Sequence, residues 1–199
     1  MSLNNGRNVN HSAISCSVPG SVSVPFPGSA PSTATTSRLF FTPLPPNPPP
    51  IPLPDDTSNI TIMEFVIPAQ ALARLAAERP SVGLDATMST EVILDPLEGF
   101  SLNLDAITYQ LFRNNTLLTD TLVSGRYQTG FGFNNLYTFN STFTWVDLPV
   151  DPIFPGDPIF PTDPIRYRVV ANIGSLGGVL SAQVRNRGFK GVLLPTDPV

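Results

Sequence analysis

The chain has 199 residues, a formal charge of −4, 13% charged side chains and 23 prolines, whereas an ordinary soluble domain carries about 25% charge and about 5% proline. Its one Cys and one His are Cys16 and His11 near the N-terminus, which excludes most metal sites, nucleophilic triads and internal disulfides. No basic run could neutralise a phosphate backbone and no apolar run has the length of a membrane span, so neither nucleic acid nor a membrane is an expected partner. The first ten residues lack the apolar core of a classical signal peptide.

Residues 1–58 hold twelve of the 23 prolines and only Arg7, Arg38, Asp55 and Asp56 as charges, a composition that predicts an extended N-terminal arm without a core of its own. Pro43–Pro54 predicts a polyproline II spacer of roughly 35–40 Å, at about 3.1 Å per residue. The arm also carries Val18, Val22, Val24 and Phe26 at near-alternating positions, then Arg38-Leu39-Phe40-Phe41-Thr42. These are strand-like segments with nothing local to pair with. An extended segment added to an exposed sheet edge satisfies its backbone and buries alternate side chains, so Val22, Val24, Phe26, Leu39, Phe40 and Phe41 are the expected anchors of a docking arm. Cys16 in such an arm cannot pair within its own chain. It either stays reduced or forms an intermolecular disulfide.

From Asn59 onward period-two alternation bounded by Gly, Pro, Asn and Asp predicts one antiparallel β domain over residues 59–199. Asn59–Ile67 is a first strand, and Ala69–Arg79 fits either a short helix or an extended connection. Val82–Leu94 follows. Gly99–Arg113 switches phase between Leu102/Leu104 and Ile107/Tyr109/Leu111, which predicts a bulge or two shorter strands. Arg113-Asn114-Asn115-Thr116 reads as a hairpin turn into Leu117–Ser124, because Asn tolerates positive φ. Gly125–Phe133 reads as a loop or edge strand. Tyr137, Phe139, Ser141, Phe143 and Trp145 form an aromatic face opposite Thr138, Asn140, Thr142 and Thr144. Ile165–Ile173 alternates as clearly, and Gly174–Gly178 turns the chain into Val179–Asn186, with Phe189–Leu194 as a last strand. This spacing predicts an all-β, antiparallel two-sheet sandwich, with a jelly roll favoured over an immunoglobulin-like order.

Asp151-Pro-Ile-Phe-Pro-Gly156 is copied almost residue for residue in Asp157-Pro-Ile-Phe-Pro-Thr162. The unit reads as a surface insertion lengthened by duplication, with Phe154 and Phe160 as candidate partner contacts. Asp151, Asp157 and Asp163 lie too far apart on a stiff rod to converge on Ca²⁺, at nearly ~20 Å. The carboxylates Glu91, Asp95, Glu98 and Asp105 are read as turn or polar-face residues rather than an acid/base pair. Trp145 beside Asp147 is read as core rather than as a sugar-stacking platform. Arg166 and Arg168 are expected to pair with a neighbouring carboxylate. No catalytic residue, cofactor or metal is called for.

Ile107-Thr-Tyr-Gln-Leu-Phe-Arg-Asn-Asn-Thr116, Phe143-Thr-Trp-Val-Asp-Leu-Pro149 and Tyr167-Arg-Val-Val-Ala-Asn-Ile173 together resemble the spore-surface proteins of spore-forming bacilli, the exosporium proteins and endospore appendage subunits. The resemblance covers roughly residues 100–194. It implies a jelly-roll subunit made without a classical signal peptide, laid on the spore surface and polymerised by an N-terminal arm reaching into a neighbour, with an anchoring coat protein and a tip protein as further partners. The single arm Cys and the duplicated loop depart from that pattern. The expected function is thus a structural subunit whose main partner is other copies of itself. The alternatives are a lectin-like or tumour-necrosis-factor-like binding module, a phage or capsid fibre subunit, and, least favoured, a β-sandwich glycosidase.

Overall fold

The computed structural model describes residues 23–24, 37–73, 80–95, 101–103, 106–123, 126–128, 135–149 and 163–194. In chain order they form β1 (Ser23–Val24), β2 (Ser37–Phe41), β3 (Ile51–Pro52), β4 (Ile60–Ile67), α1 (Ala69–Ala73), β5 (Ser81–Leu94), β6 (Ser101–Asn103), β7 (Ile107–Arg113), β8 (Thr116–Val123), β9 (Arg126–Gln128), β10 (Leu136–Asp147), β11 (Ile165–Ile173) and β12 (Val179–Leu194). One sheet runs β1-β2-β12-β5-β10, with β3 also on β12, and the other runs β4-β11-β7-β8; β6 and β9 make a separate ribbon. All the ladders are antiparallel.

Among the eight principal strands β2, β4, β5, β7, β8, β10, β11 and β12, pairing is nested. The first pairs with the last, β4 with β11, β5 with β10, and β7 with β8. That nesting, divided over two four-stranded layers, is the jelly roll. Alternation drives it. In β11 Ile165, Tyr167, Val169, Ala171 and Ile173 are buried while Arg166 is exposed, and β10 turns Tyr137, Phe139 and Phe143 toward the same core. Tyr109, Tyr167, Met63, Leu84, Met88 and Leu111 are its largest closed-off members, each side chain of this class contributing about 1.5–3 kcal/mol on burial. A register shift opposite Val169/Val170 lets Ile62 and Met63 of β4 both turn inward.

The phase switch in residues 99–113 separates β6 from β7, Asn114 takes φ 52° in the turn that pairs Arg113 with Thr116, and Ala69–Ala73 is helical. The two strands expected at Val179–Asn186 and Phe189–Leu194 are one. Arg185 and Asn186 sit in a bulge, and pairing with β5 resumes at Arg187.

The larger correction concerns the arm. Its boundary at residue 58 falls inside the roll, because β2 and β3 are two pieces of the strand that flanks β12. Leu39 pairs with Val192, Phe40 with Gly191 and Phe41 with Lys190, and Ile51 pairs with Val184. The block 38–42 therefore does have a partner in its own chain, at the far end of the sequence. Nor does Pro43–Pro54 project as a spacer: Thr42 N donates to Phe189 O and Leu53 N to Ala182 O, both at 2.9 Å, so the prolines lie along β12. They interrupt its ladder because proline has no N–H to donate, and Asn47 at φ 52° bends the run. Residues 55–59 then carry the chain across to the other sheet. Asp55 Oδ1 accepts the Leu176 amide at 2.6 Å, Asn172 Oδ1 accepts the Asn59 amide at 2.8 Å, and the Ile173 amide donates to Thr57 O at 2.8 Å.

Phe65 fills the space between the sheets, with ring centroids 4.7 Å from Phe189 and 5.5 Å from Tyr167. It reaches over Gly191, where an added Cβ would lie 2.5 Å from Phe65 Cζ. Gly191→Ala is expected to lower stability by about 1–3 kcal/mol through overpacking, measured as a lower thermal unfolding midpoint.

Candidate assembly surface

The two sheets are tied together where β10 ends. Asp147 continues the inward phase of β10 past the aromatic positions, and Arg113 ends the inward phase of β7. Tyr167 Oη donates to Asp147 Oδ2 at 2.6 Å, and Arg113 Nη1 donates to the two carboxylate oxygens at 3.2 and 3.4 Å and to Leu148 O at 3.0 Å. Asp147 is buried. A buried carboxylate engaged on both oxygens by an arginine and a phenol is a lock between layers. Burial first, and the Asp147 carboxylate second, push the Tyr167 phenol up, so it stays a donor. A second polar bridge joins the layers deeper in, where Thr90 Oγ1 and Tyr109 Oη lie 2.6 Å apart. There burial pushes the Tyr109 phenol up to about 12.

The neighbour of Asp147 behaves differently. Trp145 is 38% exposed, which corrects its reading as core. It has the inward phase, but β10 is the last strand of its sheet, and the buried position at this end is taken by Asp147. Val146 and Leu148 are 63% and 61% exposed and Leu136, at the other end of β10, 58%. On the outer face of the same sheet Val146 stands opposite Gly83, Gly83 opposite Val192 and Val192 opposite Leu39. With Phe41 exposed beside them, this is a band of apolar side chains on a β surface. The next row is polar: Thr144 donates to Asp85 Oδ1 at 3.2 Å, and Lys190 Nζ lies 3.4 Å from Asp85 Oδ2, an exposed pair of small energetic weight.

The opposite outer face mixes polar groups with the exposed Val66, Leu117 and Leu122. Arg166 and Arg168 line a cleft of about 300 Å³ with Val66, Asn114, Asn115 and Pro164. Neither forms an ion pair among the described residues, contrary to expectation; the Arg168 guanidinium instead covers the Phe112 ring at 5.2 Å. Back on the outer face of the first sheet, Glu91 of β5 accepts Gln183 Nε2 of β12 at 2.9 Å and lies 3.4 Å from Arg185 Nη1. Among the described residues no cluster of His, Cys, Asp or Glu could hold a metal ion, and no helix is long and apolar enough to cross a membrane.

Of the expected anchors, Leu39 and Phe41 lie on the outer band and Phe40 packs against the core, all three within their own sheet. Val24 belongs to β1. Val22, Phe26, Cys16, Phe154, Phe160, Glu98 and Asp105 lie outside the described residues. The Arg113–Asp147–Tyr167 lock escaped the sequence reading, although its signal was present: an acidic and a basic residue each occupying the inward phase at the end of an alternating strand.

No protein-family model and no curated protein matches the chain. Among solved structures, similarity is found to infectious bursal disease virus proteins. The Gt strain structure is 15% identical over 87% of this chain and 38% of that one, with a TM-score of 0.35. The Gx strain structure is 14% identical over 90% and 40%, with a TM-score of 0.34. The VP2 subviral particle is 17% identical over 87% and 38%, with a TM-score of 0.31. The chain thus spans about two fifths of the length of each.

Asp147→Ala is expected to cost about 3–5 kcal/mol by leaving the Arg113 and Tyr167 donors without their carboxylate, read from denaturant unfolding. Alkaline titration supplies a second test. Because burial pushes the folded-state Tyr109 phenol up to about 12, above the ordinary phenol value of about 10, its contribution is fully present below about pH 10 and is lost as pH rises toward 12. Phenolate absorbance from Tyr109 and Tyr167 should emerge together with loss of the β circular-dichroism signal, and Y109F/Y167F should remove that absorbance step.

Proposed function

We propose that this chain is a structural subunit that self-assembles by lending its N-terminal strand to a neighbouring copy. The observation that carries the reading is β1. It sits at the edge of the sheet, held to β2 by two register pairs, Ser23 with Arg38 and Val24 with Ser37, and Pro25, Pro27 and Pro31 lie between the two strands in sequence. An edge that accepts Ser23–Val24 of its own chain offers the same backbone groups to Ser23–Val24 of another, and exchange of an identical element is a low-cost route to assembly. In this reading Val22, Val24 and Phe26 are the exchanged anchors, and the edge of β2 at Ser37 and Arg38 is the acceptor.

A head-to-tail contact of this kind propagates as a filament unless its rotation closes a ring or shell, and jelly rolls serve in shells as well as in binding modules. The scarcity of charge and the apolar band on the outer face support a surface covered by copies of the same chain. The motif resemblance of residues 107–116, 143–149 and 167–173 supports a spore-surface location, with an anchoring coat protein and a tip protein as partners.

Negative-stain imaging of the purified full chain tests the reading. Polymers are expected from the unaltered protein and none from V22D/V24D/F26D, whose substitutions fall outside the eight principal strands. Polymers of equal length from the substituted chain would remove the arm as the linker.

A further inference from the structure

We infer that the edge of β10 away from β5, which no strand pairs among the described residues, is a second assembly site, whose occupant is β10 of another copy of this chain, paired antiparallel about a two-fold axis through Ser141. This contact lies at the opposite edge of the sheet from β1 and stands independently of strand exchange.

The strand reads nearly the same in both directions. Counting outward from Ser141, Asn140 matches Thr142, Phe139 matches Phe143, Thr138 matches Thr144, Tyr137 matches Trp145 and Leu136 matches Val146. Residues equally distant from one centre have the same parity, so each matched pair lies on the same face of the sheet. Laid against its own copy in that register, β10 therefore sets aromatic opposite aromatic on the core-facing side and Thr opposite Thr, with Leu opposite Val, on the outer side. Aromatic and Thr–Thr cross-strand pairs are the stabilising units of an antiparallel ladder. A contact in which residue i meets j and j meets i is isologous and closes as a dimer.

The strand also lacks the features that keep an edge from pairing. Leu136–Val146 contains no Pro, Gly or charged side chain, whereas exposed edges are commonly blunted by lysine, proline or a bulge. Its register with β5 is unbroken from Leu136 to Asp147. The exposed Trp145, in the inward phase but at an open edge, finds a counterpart in the half-buried Tyr137 of the second copy. Strand length agrees with a modest interface: about 37 Å at ~3.4 Å per residue, across a sheet edge of ~10 Å or somewhat more, gives roughly 800–1,000 Å² in total, the class of weak specific contacts.

The register makes the test specific. N140K/T142K sets Lys opposite Lys twice across the two-fold, whereas N140K/T142E sets Lys opposite Glu twice. Asn140 and Thr142 are exposed on the outer face, so both variants should match the unaltered chain in thermal midpoint. Sedimentation velocity of the full chain in the V22D/V24D/F26D background should give a concentration-dependent dimer, about tenfold or more weakened in N140K/T142K and restored in N140K/T142E. Equal association of the two variants, or a monomer at every concentration in the arm-substituted background, would overturn the inference. The arm substitutions alone leave this dimer in place, so failure of strand exchange and failure of the β10 contact give different results.

Discussion

The structure depends on β12. At 16 residues it is the longest strand, and it is paired along both sides, with β5 from Val179 to Leu194 and with β2 and β3 on the other flank. This brings together the two ends of the described chain, residues 37–53 and 179–194. Such a closure carries the largest loop entropy in the molecule, and it is offset by Phe40 and Leu53 packing on the core and by amides on either side of the proline run. Gly191 belongs to the same constraint, since the longest strand must thin to a bare backbone where Phe65 crosses it.

Local alternation was enough to find β10 and β11, because each is half-buried and its pattern reports its own environment. It also found Leu39-Phe40-Phe41 as a strand. What it could not find was the partner. Pairing between residue 39 and residue 192 leaves no trace in a short window, so a strand of the roll read as a free arm, and its prolines as a spacer. The break assigned within β12 has a similar origin. Arg185-Asn186-Arg187-Gly188 looks polar and flexible in one dimension, yet a bulge between Val184 and Arg187 absorbs it without ending the strand.

The lock between layers shows where period-two reasoning underuses its own signal. An alternating aromatic strand that ends in Asp on the inward phase asks for a buried cation and a donor. Arg113 and Tyr167 supply them from the opposite sheet. Reading Asp147 with Trp145 joined two residues that share the inward phase but lie in different environments. Asp147 closes the sandwich, and Trp145 remains partly open at its rim.

The composition acquires a physical meaning through the two flanks of the first sheet. Along the β2–β3 flank, Pro43, Pro45, Pro46, Pro48, Pro49 and Pro50 run beside β12 with no N–H to offer a further strand, so only the short piece at Ser37 and Arg38 is extended, by β1. Proline there does the blunting that charge does in most sheets. Along the β10 flank Leu136–Val146 holds neither proline nor charge, and on the outer face beside it Asp85 pairs with Lys190 and Glu91 with Arg185 among apolar and hydroxyl side chains. A β surface left open in this way is an aggregation hazard for a monomer and a docking face for an assembly. The mirrored sequence around Ser141 distinguishes the two, because indiscriminate pairing requires no particular order of side chains, whereas a defined register needs each residue matched to the one it meets.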